Sequence, residues 1–275
     1  FMISFFCLIN ILLSIYFVRS LEMDIYGVAL GTVISAYITG FIFLIFSYFY
    51  VKNKFNINAQ INRLFSYKKL IKLFNINFDI FVRTILLTFA FLWFTYQSAK
   101  LGTDYLAVNT ILLQFVIISS FFLDAYAFAT EGVIGYAIGK KVKKSFMFSV
   151  DNSLKLSFFS SLIISLFYII FFKDLINVMT DLDYVRYLSY GFIFWVILIP
   201  PVASFCYQYD GIFIGASQTE EMRNGMIISV AVFIYFSIML VKLFDNHGLW
   251  FSLLAFMILR SLTLRFYFSN IIKRF

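Results

Sequence analysis

Apolar stretches separated by short polar joints recur along the whole chain, each near the twenty or so residues a helix needs to cross roughly 30 Å of hydrocarbon. They run from Phe1 to Val18, Gly27 to Val51, Phe78 to Ala99, Tyr105 to Gly139, Val150 to Phe172, Tyr187 to Tyr209, Met222 to Val241 and Gly248 to Asn270. The pattern predicts an all-α polytopic membrane protein with about eight transmembrane helices. The first stretch opens on Phe1 in mid-helix, without an initiating Met, a charged amino-terminal region or a cleavage site, so further sequence is expected to precede it.

Composition agrees with this reading. With 62% hydrophobic and only 13% charged residues, the chain has too little polar surface to cover a soluble globule. The net charge of +8 is distributed unevenly over the joints. Alternate joints hold Lys52, Lys54, Arg63, Lys68, Lys69, Lys72, Lys140, Lys141, Lys143, Lys144, Arg223, Lys273 and Arg274, thirteen cations, against five in the other set, Arg19, Lys100, Lys173, Arg186 and Lys242. That bias predicts a cytoplasmic carboxyl terminus and makes the positive charge a topology signal rather than a nucleic-acid footprint.

The longest of the basic joints, 52–77, divides the chain. Ile61, Leu64, Phe65, Leu70, Ile71, Leu73 and Phe74 alternate there with Arg63, Lys68, Lys69 and Lys72. This is an imperfect amphipathic helix that could lie on the inner leaflet, or an ordinary loop held inside by its charge. Residues 1–51 then hold two spans, 52–77 a cytoplasmic linker, and 78–275 six spans.

Against this apolar background the ionisable residues inside spans are the candidate chemistry. Asp124 and Glu131 lie seven residues apart, about two helical turns, and project from nearly one face, with Asn109 within about 60° of it. The stripe must face protein or water. Asp124 is the deeper acid, whereas Glu131 sits nearer the inner end among Gly132, Gly135 and Gly139. Arg83 has Asp79 four residues before it, so an intrahelical ion pair is expected; otherwise Arg83 would face a cavity and bias a neighbouring acid toward its charged form. Arg260, about midway along the last span, needs a carboxylate or carbonyl partner, with Asp124, Glu131 and Asp210 as candidates. Asp210 ends the span carrying Pro200 and Pro201, where it either caps the helix or, with Gly211 and Gly215, marks a close approach or break. Tyr96, Gln97, Gln114, Tyr207 and Gln208 are further polar candidates. Cys7, Cys206 and His247 show no metal or disulfide spacing, and a Gly-rich phosphate loop, an HExxH motif and a Ser/His/Asp set are all absent from the sequence. ATP-driven pumping and metal-dependent hydrolysis by this chain alone are therefore not expected.

Five local patterns occur together and in order: Asn10 with Gly27 to Ser35 (GVALGTVIS), Leu106 to Leu112 (LAVNTIL), Leu123 to Gly132 (LDAYAFATEG), Asp210 to Ala216 (DGIFIGA), and Gly248 to Trp250 followed by Arg260. Together they resemble the DinF-like branch of the MATE (multidrug and toxic compound extrusion) transporters. The resemblance implies twelve helices in two six-helix lobes, of which this chain would hold helix five to helix twelve: the end of the amino-terminal lobe, the inter-lobe linker and the six-helix carboxyl-terminal lobe. It implies a multi-pass protein of a bacterial inner membrane that is not an enzyme and has no cofactor beyond a coupling ion, H+ or Na+. Its partners would be a small organic, often cationic substrate, the membrane lipids and the remaining amino-terminal lobe, with no nucleic acid. Asp124, Glu131, Asp210, Arg83, Arg260 and Asn109 would carry ion coupling or substrate binding during alternating access. The 275 residues alone are not expected to transport, since half a rocking bundle cannot close a cavity. A lipid-linked oligosaccharide flippase of the same superfamily is the alternative, and an integral membrane transferase a weaker one, because clustered surface His, Asp or Glu are lacking.

Overall fold

A computed structural model describes residues 2–55 and 67–273, all in helices and short connections. Two compact units divide the chain, Phe1–Lys69 and Leu70–Phe275. Of the expected linker, residues 56–66 lie outside the described residues, while from Tyr67 the chain is helical and runs without a break into the next span.

The first unit is a helical hairpin of α1 (Met2–Arg19) and α2 (Asp24–Phe55). Gly31 makes the close approach: a Cβ there would lie 2.8 Å from the Ser14 hydroxyl and 3.0 Å from its backbone nitrogen. Asn10 spans the hairpin by donating to Thr32 at 2.9 Å. Most of the remaining Leu, Ile, Phe and Tyr side chains of both helices face outward, as helices solvated by lipid can.

The second unit contains α3 (Tyr67–Leu101), α4 (Thr103–Gly139), α5 (Lys143–Met179), α6 (Asp183–Tyr190), α7 (Ile193–Gly215) and α8 (Thr219–Ile272). At 37 residues, α4 and α5 are each about 55 Å long, well beyond the hydrocarbon thickness. Among the described residues six helices are long and apolar enough to cross a membrane, and α1 adds a shorter apolar stretch, Ser4–Arg19. One of the six, α8, is two arms, 219–244 and 246–272, meeting at Asp245. Eight apolar stretches thus correspond to eight helical arms.

Asp245 makes that corner at φ 47° and ψ −130°, a conformation that suits glycine and strains a residue with a Cβ. Its side chain is exposed. Asp245→Gly is therefore expected to stabilise the protein by about 1 kcal/mol, read as a rise of a few degrees in the melting temperature. A fall would mean that the carboxylate holds the corner through its own contacts.

One boundary differs from the sequence expectation. The span expected from Tyr187 to Tyr209 instead begins at Ile193 and continues to Gly215. The short helix α6 stands apart from it because Arg186 ties the preceding turn, donating to the carbonyls of Thr180 and Asn177 and pairing with Asp181 and Asp183. Asp210 and Gly211 therefore lie inside α7 and not at its end, which removes the capping role. Pro200 and Pro201 also lie within α7. Pro201 cannot donate to the carbonyl of Ile197, and the Ser165 hydroxyl on α5 occupies that acceptor at 2.7 Å.

Two apolar cores fill this unit. One gathers Phe94, Leu112, Phe115, Phe172, Trp250 and Phe256; the other gathers Ile134, Phe146, Ile212, Phe213, Leu264 and Phe268. On α4 and the carboxyl arm of α8, Asp124 and Arg260 fall between the last first-core residue, Leu123 or Met257, and the first second-core residue, Ile134 or Leu264; on α7, Asp210 follows Tyr207 and Tyr209, one from each core. A charged layer separates the two cores.

Candidate functional site

Close packing of α4 and α7 sets the depth of this layer. A Cβ on Gly211 would lie 2.4 Å from the Ala127 carbonyl oxygen, and one on Gly215 2.6 Å from that of Glu131. The two helices run side by side in this register, which brings Asp124 to nearly the level of Asp210. The G-x-x-x-G spacing of Gly211 and Gly215 is the sequence cause of the approach.

Asp210 is the hub. Arg83 on α3 and Arg260 on the carboxyl arm of α8 both donate through Nη2 to its Oδ2, Arg260 at 2.7 Å. Arg260 is only 2% exposed and Asp210 5%. The guanidinium of Arg260 lies over the rings of Phe256 and Tyr207, 5.5 and 5.8 Å from their centroids, within cation–π range of both. The Nε atoms of both arginines are buried without a hydrogen-bond partner. A buried guanidinium and a half-buried one thus share one carboxylate oxygen, leaving donors in excess.

Asp124 completes the charge balance without joining the hydrogen bonds. It is half-buried on α4, within electrostatic range of Arg83, Asp210 and Arg260, and among the described residues it has no bonded partner. One acid is paired through its Oδ2 and the other is uncommitted. With two arginines and two aspartates the layer is neutral when both acids are ionised, so a proton or cation taken up at Asp124 changes its net charge.

The other expected site residues lie elsewhere. Glu131 is half-buried, its backbone packed against Gly215, one level below the charged layer. Asn109 shares a helical face with Asp124 but lies fifteen residues away, about 22 Å along α4. It is buried and satisfied: its Nδ2 donates to Ser98 and Asn246 at 2.8 and 2.6 Å, and its Oδ1 accepts from Asn246 and Trp250 at 3.0 and 2.9 Å. This network fastens α3 and α4 to the start of the second arm of α8, just beyond the Asp245 corner.

The expected Asp79–Arg83 pair does not form. Asp79 instead accepts from Arg223 and from the Thr219 hydroxyl on the amino arm of α8, while Arg83 turns to α7. Helical spacing places the two side chains on one face, but each finds a counter-charge on a neighbouring helix. The Asp79–Arg223 pair and the Thr130–Gln208 hydrogen bond at 2.8 Å between α4 and α7 were not anticipated. The sequence marks Arg223 only as a topology charge, and its proximity to Asp79 has no local sequence signal.

The sequence profile of the MatE family matches residues 80–243, which include Arg83, Asp124 and Asp210. The DNA damage-inducible protein F of Escherichia coli strain K12 is 31% identical over 257 residues, an alignment covering 94% of this chain and 56% of the relative. Protein DETOXIFICATION 43 of Arabidopsis thaliana is 26% identical over 261 residues, covering 93% and 47%. The chain therefore spans about half the length of the curated relatives it matches. A crystal structure of MATE in the straight conformation superposes with a TM-score of 0.87 at 16% identity, covering 99% of this chain and 62% of that one.

Proposed function

Because the chain belongs to the MatE family of membrane transporters, we propose that the protein is a secondary active transporter that expels organic, often cationic compounds in exchange for protons or sodium ions. The observation that carries this reading is the uncommitted Asp124 beside an Asp210 already committed to Arg83 and Arg260. A carboxylate without a fixed partner can hold a proton, a metal cation or an organic cation in turn, and competition among them is what an antiporter requires. The arginine pair on Asp210 anchors α3, α7 and the carboxyl arm of α8 around that exchangeable group. Asp124 is thus the candidate coupling or substrate residue, Arg83 a positioning residue that competes with arriving cations, and Arg260 an internal tie. Both membrane ends follow from the lysine-rich joints, with the carboxyl terminus in the cytoplasm.

The flippase alternative calls for basic groups free to grip a pyrophosphate. Arg260 is buried and spent on Asp210, which disfavours it.

The test is efflux of a fluorescent organic cation from proteoliposomes containing the full natural protein, under an imposed proton or sodium gradient. Asp124→Asn is expected to abolish gradient-driven efflux while the protein melts as the wild type does. Undiminished efflux by the variant would move coupling away from Asp124, and no efflux by the wild type under either gradient would overturn the antiport reading.

A further inference from the structure

A groove of about 390 Å³ runs between α5, α7 and the carboxyl arm of α8, on a side of the bundle where Phe205 and Leu262 are exposed. Its walls are Phe158, Pro201, Phe205, Ile258 and Leu262, and Tyr209 and Arg265 also line it. This groove is separate from the charged layer: neither Asp124, Asp210, Arg83 nor Arg260 lines it.

The polar end is built rather than incidental. Arg265 is exposed, yet its Nη1 donates to the hydroxyl of the buried Tyr209 at 3.3 Å and its guanidinium lies 5.7 Å from the Phe268 ring centroid. No carboxylate pairs with it among the described residues. Phe146 stacks on Phe268 and Phe158 lines the groove with Ile258, so α5 and this arm run antiparallel. That register places Lys155, exposed but outside the groove lining, within roughly two helical turns of Arg265 in depth, with the exposed Asp151 one turn further along α5. Phe268 and Ile271 share a core with Ala137 and Phe146, which flank Lys140, Lys141, Lys143 and Lys144. The Arg265 end of the groove therefore lies toward the lysine-rich joint. A cation inside an apolar helix at that depth needs an anion or water at the interface.

We propose that this groove binds an anionic phospholipid, with an acyl chain lying along Phe158, Pro201, Phe205 and Leu262 and the headgroup phosphate held by Arg265 and Lys155. Tyr209 fixes the guanidinium in place, leaving its other donors for the phosphate. Lys155 and the four lysines at 140–144 outnumber Asp151 at this end and favour a lipid of net negative charge over a zwitterionic one. The site rests on the chain lying in a membrane and does not depend on what is transported.

The experiment is native mass spectrometry of the full natural protein released from micelles containing equal amounts of phosphatidylglycerol and phosphatidylcholine. The wild type is expected to retain phosphatidylglycerol about tenfold over phosphatidylcholine, Arg265→Gln to lose that preference, and Arg265→Lys to keep most of it. Leu262→Trp, which puts an indole into the groove, is expected to lower retention of both lipids. Melting temperatures in phosphatidylcholine alone verify that each variant is folded. Equal retention of the two lipids by the wild type, an unchanged preference in Arg265→Gln, or full retention in Leu262→Trp would each overturn the proposal.

Discussion

Asp210→Leu is expected to cost about 3–5 kcal/mol, the usual consequence of leaving a buried charge without its partner. Arg260 is 2% exposed and among the described residues pairs with no other carboxylate, so it cannot turn to water when Asp210 is lost. Arg83, with a side chain 16% exposed, can. The damage therefore falls on the tie between α7 and the carboxyl arm of α8. A fall in melting temperature on the order of 10 °C is the expected readout. The double variant Asp210→Leu with Arg260→Met should recover most of the loss, because an apolar pair of similar volume replaces both buried charges. If the single variant melts within a degree or two of the wild type, Asp124 has taken over both arginines and the two acids are interchangeable.

Gly211→Val attacks the same layer from the backbone. Its first added carbon would lie 2.4 Å from the Ala127 carbonyl oxygen and 3.0 Å from that residue's Cα, atoms of a helix backbone that cannot rotate aside. α4 and α7 must separate, and overpacking of this kind costs about 3 kcal/mol. The separation would also shift Asp124 away from the level of Asp210, so under the proposed function efflux by the full natural protein should fall more than the amount of folded protein does. Gly132→Ala is the control: a Cβ at that position meets nothing within 4 Å, and the better helix former should be neutral or mildly stabilising. Equal melting temperatures for Gly211→Val and Gly132→Ala would show that the two helices are not in van der Waals register.

How far these features can be read from sequence depends on whether the signal is local. Apolar runs near twenty residues and the placement of lysines revealed the helical arms, and the rarity of acids in such runs singled out Asp124. Helical periodicity gives the face on which a residue lies but not the neighbour it meets. It grouped Asn109 with Asp124 although about 22 Å of helix separates them, and it paired Asp79 with Arg83 although both reach across to other helices. The partner of Arg260 was open among three acids, and only the packing of α7 against the last arm selects Asp210. The span boundary at Tyr209 was misplaced because Asp210-Gly211 looks like a terminus. A buried aspartate fits within a helix once two arginines on other helices neutralise it, and that information lies fifty and more residues away.

The Ser165 hydroxyl on the Ile197 carbonyl bears on the order in which the chain is made. A helix carrying Pro200-Pro201 that entered lipid by itself would leave the Val196 and Ile197 carbonyls without their helical donors in hydrocarbon, a costly state for an unescorted segment. α5 is synthesised before α7, so the donor is already in place when the proline segment emerges from the ribosome. Biogenesis therefore favours lateral release of α7 in company with α5, and this single serine helps to turn a poor solitary inserter into an acceptable second member of a pair.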